Sequence, residues 1–300
     1  MSNRIKYFIF CGALLVLFLA VFFAVPDNKF LFKNSLGDCS GRAQFMYNKL
    51  YNTKTKADVV LFGSSRIMNG VNDSTFGKNK ILNLGYCRFG RDLDEFFVEE
   101  YLKSHQPSKI IIEVRGSEGD NSHPLTPFLM PVSKIAEEFY TLDVDVFSNL
   151  YNKWLCNLKY IRNKLFDKSD TLSFENNSEY GYWENYTEKD EKKLIDKRAE
   201  DSLELLTEKP NVTNRNAEFY LSKIKELCEQ KKIQLLFLYI PSYGNVCKTP
   251  ELQKIYSENG TCILPPDSIF CNINNFADYN HLNKAGAKKF SLWLNKVLEE

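Results

Sequence analysis

The sequence carries little net charge, and its cysteines are not closely paired. Its 39 lysines and arginines nearly balance 38 aspartates and glutamates, which leaves a formal net charge of +1. This balance argues against a nucleic-acid-binding protein, which is expected to carry a basic field. No Cys-x-x-Cys spacing occurs among the eight cysteines, so a zinc site is not expected. We expect no metal and no cofactor.

If the domain is exported, its cysteines can form disulfide bonds. Cys11 lies in an apolar N-terminal run, and the other seven cysteines follow it. An odd number leaves at least one thiol unpaired within a monomer. The closest plausible pairing joins Cys247 to either Cys262 or Cys271, and the sequence leaves both open.

Histidine occurs only three times. His105 lies in a polar turn and is expected to be a solvated loop residue. His123 follows a predicted strand and is a candidate to approach the end of that strand. His281 stands three residues after Asp278, close to the C-terminus. The simplest interpretation of Asp278 is a helix N-cap, because aspartate accepts hydrogen bonds from the free N–H groups of a first turn.

One long hydrophobic run is present. The 19 residues Tyr7–Val25 contain no charged side chain, and a helix of that length crosses roughly 30 Å of hydrocarbon. Arg4 and Lys6 precede it, which favours a cytoplasmic N-terminus and an external C-terminal part. A cleaved signal peptide is the alternative, but its apolar core is expected to span only about 7–15 residues before a small-x-small site. We therefore predict an uncleaved anchor.

The chain divides into three parts. Residues 1–26 are predicted to form the cytoplasmic N-terminus and transmembrane anchor, residues 27–56 a tether and first helix, and residues 57–300 an α/β domain. Apolar, β-branched runs predict four buried strands. These lie near 58–62, 81–84, 109–114 and 233–240. Because amphipathic helices alternate with them, we expect a parallel sheet with helices on both faces.

The region at about 120–213 interrupts this alternation. It is rich first in proline, then in aromatic residues and mixed charge, and we predict a helical insertion that caps the sheet edge. Tyr180, Tyr182 and Trp183 within it are candidates for a glycan-binding surface, since aromatic faces stack on sugar rings. The alternative is that they pack in the core of the cap.

Chemistry is expected at the carboxyl ends of the strands, where parallel sheets form their binding crevice. Ser65 follows the first strand in a glycine-preceded turn. A serine needs a base to act as a nucleophile. Histidine is the usual general base in proteins, and His281 is the candidate here. Asp278 would orient the imidazole. The sequence therefore predicts a catalytic triad of Ser65, His281 and Asp278.

Four segments carry a family resemblance. The strings "LFGSSR", "NLGYCRFG", "IIIEVRGSE" and "DYNH" resemble, in order and spacing, the four sequence blocks of the SGNH/GDSL hydrolases. The resemblance covers about 58–117 and 214–300. It implies a flavodoxin-like three-layer α/β/α fold, with Ser65 as nucleophile, His281 as base and Asp278 as orienting acid. Ser64 stands where the family usually has aspartate.

The resemblance also implies an oxyanion hole, in which this sequence departs from the family pattern. The backbone N–H of Ser65 is one expected donor. The second block offers a backbone N–H at either Arg88 or Gly90. The third block usually contributes an asparagine amide, but that position is Ser117 here, with Arg115 in place of a glycine.

The implied function is a membrane-anchored, extracytoplasmic serine esterase or acyltransferase. Its expected substrates are O-acyl groups, above all O-acetyl groups, of cell-surface glycans, or small esters, and a multi-pass membrane acyltransferase is an expected partner. A lysine- and asparagine-rich composition favours a bacterial periplasm or cell surface. The alternative is a catalytically degenerate domain of the same fold that binds a glycan or a membrane acyltransferase.

Overall fold

The chain forms two compact units in the computed structural model. The structure describes residues 3–23, 42–52, 56–77, 80–114, 122–137, 144–166, 178–185, 189–207, 215–244 and 256–300. Unit 1 comprises Met1–Gln44 and Pro124–Ser173, and unit 2 comprises Phe45–His123 and Phe174–Glu300.

Unit 2 is built on a sheet of five parallel strands. Their order across the sheet is β2-β1-β3-β4-β5. The strands are β1 (Val59–Gly63), β2 (Ile81–Gly85), β3 (Lys109–Val114), β4 (Gln234–Tyr239) and β5 (Thr261–Ile263). The four predicted strands are confirmed and share one sheet. The three-residue strand β5 was not predicted.

Helices cover both faces of this sheet. They are α3 (Ser65–Gly70), α4 (Arg91–Leu102), α9 (Arg215–Lys231) and α11 (Lys284–Glu299), with the short α10 (Asp267–Phe270) before the last. On one face α4 packs against α9, and the Phe62 ring meets Tyr101 of α4 at 6.2 Å. On the other face Leu61 and Leu238 join a core cluster with Phe290 of α11. The buried, β-branched composition of the strands follows from this double coverage.

Unit 1 contains the apolar N-terminal helix. The helix α1 (Asn3–Phe23) is followed in the chain by α2 (Arg42–Tyr47), of which only the first three residues belong to unit 1, and by a π-helical turn at Asn48–Asn52 of unit 2. A helical segment is thus present where the first helix was predicted. The tether before it lies outside the described residues. Span Asn3–Phe22 has a mean hydropathy of 2.5. Among the described helices, α1 alone is long and apolar enough to cross a membrane.

Four helices lie in the part of the insertion that the structure describes, whereas residues 178–185 within it are not helical. Its helices are α5 (Thr126–Leu129), α6 (Val132–Glu137), α7 (Val144–Leu165) and α8 (Glu191–Thr207). Residues 178–185 instead form a turn at Glu179–Tyr180 and an irregular segment that bonds to the edge strand β2 and to α3. Asn83 N–H donates to the Tyr180 carbonyl at 2.7 Å, and Trp183 N–H donates to the Met68 carbonyl at 3.1 Å. The free backbone groups of an edge strand explain why a helix gives way there.

The cysteine pairing differs from the expected one. Cys262 and Cys271 are free thiols, so a bond from Cys247 to either of them is wrong. Cys87 takes part in a disulfide with a partner outside the described residues.

Candidate active site

The site lies where the sheet reverses its winding direction. From β1 the chain passes to β2 on one side and then to β3 on the other. The connections leaving β1 and β3 therefore diverge and leave a crevice at the carboxyl edge, the usual binding position in such sheets. Ser65 is the first residue of α3, two residues beyond the end of β1.

The predicted triad is assembled at this edge. Ser65 Oγ lies 2.7 Å from His281 Nε2. On the other side of the ring, His281 Nδ1 lies 2.8 Å from Asp278 Oδ1 and 2.9 Å from Asp278 Oδ2. The serine and the histidine are 216 residues apart in the sequence, so only the fold brings them together.

The charge on Asp278 decides which ring nitrogen carries the proton. Burial by itself would raise the pKa of the Asp278 carboxyl, but contacts with His281 and the N–H groups of Asn280 and His281 outweigh it and hold the pKa below its ordinary value. The ionised carboxylate only accepts hydrogen bonds, so Nδ1 donates to it. Nε2 is then the acceptor for the Ser65 hydroxyl, which is the arrangement that general-base catalysis requires.

A tight turn holds Asp278 and His281 together. Asp278 Oδ1 accepts the Asn280 N–H at 2.9 Å and the His281 N–H at 3.0 Å, while Ala277 N–H donates to the His281 carbonyl at 2.9 Å. The final helix α11 is capped by Asn283, whose side chain accepts the Gly286 N–H at 2.9 Å. The interpretation of Asp278 as the N-cap of that helix is therefore wrong.

Below Ser65, the buried side chain of Glu113 fixes the turn that follows β1. Glu113 near the end of β3 accepts the Ser64 N–H at 2.6 Å and the Ser64 hydroxyl at 3.0 Å. Gly63 has φ +150°, and a Cβ there would lie 2.5 Å from the Glu113 Cβ, so only glycine fits. Ser64 is fully buried and faces Glu113, which leaves Ser65 as the serine that faces His281.

Arg66 connects the turn that carries Ser65 to the turn that carries Asp278 and His281. Its guanidinium donates to the Ile240 carbonyl at 2.9 Å, to Ser242 Oγ at 2.7 Å and to Asn280 Oδ1 at 2.7 Å. Ser242 Oγ also donates to Asn280 Oδ1 at 2.8 Å. Arg66 directly follows Ser65, and Asn280 directly precedes His281. Their hydrogen bond therefore fixes the positions of Ser65 and His281 relative to each other. Sequence reasoning missed this role, for which a lone arginine gives no signal.

The side chain of Asn83 holds helix α3, which begins with Ser65, in place. Its fully buried amide donates to the carbonyls of Ile67 and Val71, each at 2.8 Å. Its side-chain oxygen accepts the Gly85 N–H at 3.0 Å. These bonds satisfy carbonyls near the end of the short helix α3 and tie it to β2. The amide therefore supports the position of Ser65 from below.

The oxyanion-hole candidates are only partly within the described residues. Gly90 is buried directly before α4, and Arg88 is exposed with φ 65° in the same loop. Ser117 and Arg115 lie outside the described residues.

His123 supports the loop that carries Arg88 and Gly90. It is buried, and its Nε2 donates to the Cys87 carbonyl at 2.8 Å. Its backbone N–H donates to Asp92 Oδ1 at 2.9 Å. His123 therefore fixes this loop from beneath, and it is absent from the lining of the crevice.

An open pocket of about 540 Å³ adjoins the triad. It is lined by Ser65, Met68, Asn69, Trp183, Glu184, Asn185, Asp278 and His281. Trp183, Glu184 and Asn185 come from the irregular segment of the insertion, and Glu184 forms an ion pair with Lys284 at 2.9 Å. Of the three aromatic candidates, Tyr182 packs in the core and Trp183 lines the pocket. Within the described ranges, no three His, Cys, Asp or Glu side chains are grouped to hold a metal ion.

No family model matches the chain, and no curated protein matches it significantly.

Proposed function

We propose that the protein is a membrane-anchored SGNH-type serine ester hydrolase or acyltransferase. The observation that carries the proposal is the hydrogen-bonded series from Ser65 Oγ to His281 Nε2, 2.7 Å, and from His281 Nδ1 to Asp278, 2.8 Å. A serine, its base and the base's orienting acid in this order are the parts that covalent acyl transfer needs.

The reaction follows from these contacts. His281 Nε2 accepts the Ser65 hydroxyl proton while Ser65 Oγ attacks the ester carbonyl. The protonated ring, stabilised by ionised Asp278, then gives that proton to the departing alcohol and leaves an acyl-serine. In the second half, water or a sugar hydroxyl gives a proton to His281 Nε2 and attacks the acyl carbonyl, the bond from that carbonyl to Ser65 Oγ breaks, and His281 returns the proton to Ser65 Oγ. Backbone N–H groups of Ser65 and of Gly90 or Arg88 are proposed to bind the oxyanion, with Ser117 as a third donor.

The strand order supports the family assignment. The arrangement β2-β1-β3-β4-β5 is the order of flavodoxin-like sheets, and helices on both faces make three layers. This order supports our proposal of the flavodoxin-like fold that the resemblance to SGNH/GDSL hydrolases implies.

The pocket supports a sugar ester as substrate. Trp183 lines the pocket together with Ser65, and the side chains of Asn69 and Asn185 also line it, with Asn69 Nδ2 donating to the Trp183 carbonyl at 2.8 Å. An apolar ring face with hydrogen-bonding groups around it matches a sugar, which has C–H faces and a hydroxyl edge. We therefore propose O-acyl groups, above all O-acetyl groups, of cell-surface glycans as the substrate. A multi-pass membrane acyltransferase is the proposed partner.

The anchor sets the proposed location. Helix α1 would cross the membrane once, with Arg4 and Lys6 keeping the N-terminus in the cytoplasm. The C-terminal part would then lie in the periplasm or at the surface of a bacterium.

Labelling by a fluorophosphonate probe tests the chemistry. Full-length protein in membranes should be labelled, and Ser65→Ala should abolish the labelling. Ser222→Ala is the matched control, because Ser222 lies on α9 and its hydroxyl donates to the Phe219 carbonyl of its own helix at 2.8 Å. Absence of labelling in folded wild-type protein would overturn the enzyme assignment and favour a binding domain.

A further inference from the structure

Helix α7 of unit 1 exposes apolar side chains along one side. Tyr151, Leu155, Leu158 and Leu165 are 55%, 40%, 37% and 74% exposed. Their spacing of four, three and seven residues places them in one stripe along the helix. Arg162, which is exposed, lies on the same side between Leu158 and Leu165, so the continuous apolar part of the stripe is formed by Tyr151, Leu155 and Leu158. An apolar surface of this kind contacts a partner or a membrane.

The opposite side of α7 is buried and largely polar. Asn149, Lys153 and Asn157 are each less than a tenth exposed, and Lys153 Nζ donates to the Met130 carbonyl at 2.7 Å. This side packs against α5 and α6. A helix at the surface of a water-soluble protein has the reverse arrangement, with its apolar side buried and its polar side exposed. The surroundings of α7 are therefore expected to be apolar.

Helix α1 identifies what those surroundings are. The ring of Trp154 on α7 stacks on Phe18 of α1 at 5.0 Å. Asn157 Nδ2 donates to the Val21 carbonyl at 3.3 Å. Val21 is in the last turn of α1, where carbonyls have no partner within the helix. Such a group needs a protein donor at the depth of a membrane, because lipid supplies none. Asn157 supplies that donor.

We propose that α7 lies in the surface of the lipid bilayer beside the C-terminal end of α1, with its apolar stripe among the acyl chains. Tyr151 and Trp154 are aromatic residues of the kind enriched at membrane interfaces. Arg162 is exposed and Lys159 is half-buried on the same helix, within reach of anionic headgroups. The proposal rests on the membrane-spanning role proposed for α1, and it is independent of the chemistry at Ser65.

Photo-crosslinking to lipid tests this arrangement. The photoreactive residue p-benzoylphenylalanine replaces Leu155 or Leu158 in the full-length chain, in native membranes, and adducts are identified by mass spectrometry. The matched control is Ile195, an apolar residue of α8 that is 55% exposed on a charged helix of unit 2. Lipid adducts should form about tenfold more at 155 and 158 than at 195 if the stripe is embedded.

The other outcomes overturn the proposal. Adducts to protein at 155 and 158, or to a second copy of the chain, would make the stripe a protein interface. Equal lipid labelling at 195 would show that exposure alone produces adducts. Release of the wild-type chain by alkaline carbonate would remove α1 from the membrane and with it the basis for α7. Fluorophosphonate labelling of the same membranes reports separately on Ser65, so a failure of the chemistry is distinguished from a failure of the membrane contact.

Discussion

Helices α11 and α7 are both long and amphipathic, but they bury opposite kinds of side chain. In α11 the buried positions include Phe290 and Leu294, which pack on the sheet, and lysines face outward. In α7 the buried positions are mainly polar, and the exposed ones include Tyr151, Leu155 and Leu158 beside the charged Arg162. The difference shows that α11 is held by an apolar core of its own unit, whereas the apolar side of α7 is left uncovered among the described residues.

The largest expected effect is at the centre of unit 2. Ser65→Ala and His281→Ala should each lower ester turnover by about 10³-fold or more, and the double variant should lose little more, because the two act as a unit. Asp278→Asn should have a milder effect, since the serine and its base remain. Steady-state kinetics on a small acetyl ester measure all four. Full turnover by Ser65→Ala would assign the nucleophile elsewhere.

A direct test of the comparison exchanges one residue in each helix for alanine. Phe290 is fully buried and meets Phe270 at 5.4 Å, so Phe290→Ala should cost about 3–5 kcal/mol of unfolding free energy. Leu158→Ala on the exposed stripe should change it by less than about 0.5 kcal/mol. Chemical denaturation of the full chain in one detergent measures both. Equal losses would mean that α7 belongs to a folded core as α11 does.

The next largest effect is expected from replacing Arg66, which connects the turn that carries Ser65 to the turn that carries His281. Arg66→Ala should lower kcat by about 10- to 100-fold with little change in KM, because misplacing a catalytic group affects the transition state more than binding. Arg66→Lys should recover only part of the activity, since lysine lacks the planar fork. Added guanidinium at millimolar concentration should partly restore Arg66→Ala. A loss of thermal stability without a change in kcat would leave Arg66 a purely structural role.

A smaller effect is expected at the pocket wall. Trp183→Ala should lower kcat/KM for methyl 6-O-acetylglucoside about tenfold more than kcat/KM for hexyl acetate, because one side of the sugar site is removed. Acetate release measures both rates. Phe219→Ala, a change to an exposed aromatic residue on α9, is the control and should leave the ratio unaltered. An equal fall for both esters would contradict a sugar-specific role.

The smallest effect concerns stability and pH. The pKa of Asp278 is lowered in the folded protein, so its charge stabilises the fold above the unfolded-state value of about 3.9. The contribution is lost as pH falls through the lower, folded-state pKa. Because the carboxylate is 39% exposed, we expect less than about 1 kcal/mol. The unfolding midpoint of wild type should exceed that of Asp278→Asn at pH 7, and the difference should vanish in acid.

The strands and site positions that sequence patterns predicted are features that depend on local composition. The four long strands are continuous apolar runs, and the Ser65, Asp278 and His281 positions follow from short strings at the strand end and near the C-terminus. Strand β5 was missed because three residues are too few to show a period. Residues 178–185 were expected within a helical region, but pairing with an exposed strand edge overrode that composition.

Other features depend on contacts between distant parts of the chain. Arg66 and Glu113 belong to no recognisable sequence motif. Their roles are visible only in the folded chain, where the ends of β3 and β4 and the turn at Asp278–His281 lie beside Ser65. The alternation of apolar and polar residues in α7 is visible in the sequence, but the sequence does not say which side is covered. The contacts of α7 with α5, α6 and α1 determine which side is covered.

The bond from Asn157 to Val21 also has a consequence for the order of synthesis. Its two residues are 136 positions apart, so at roughly 5–20 residues per second the ribosome takes on the order of ten seconds to supply the donor. During that interval α1 has already emerged while its last carbonyls lack this partner. Helix α1 must therefore form before its contact with α7 exists, and unit 1 is completed from its C-terminal side afterwards. A chain interrupted before residue 157 would contain α1 but would lack the donor for the Val21 carbonyl.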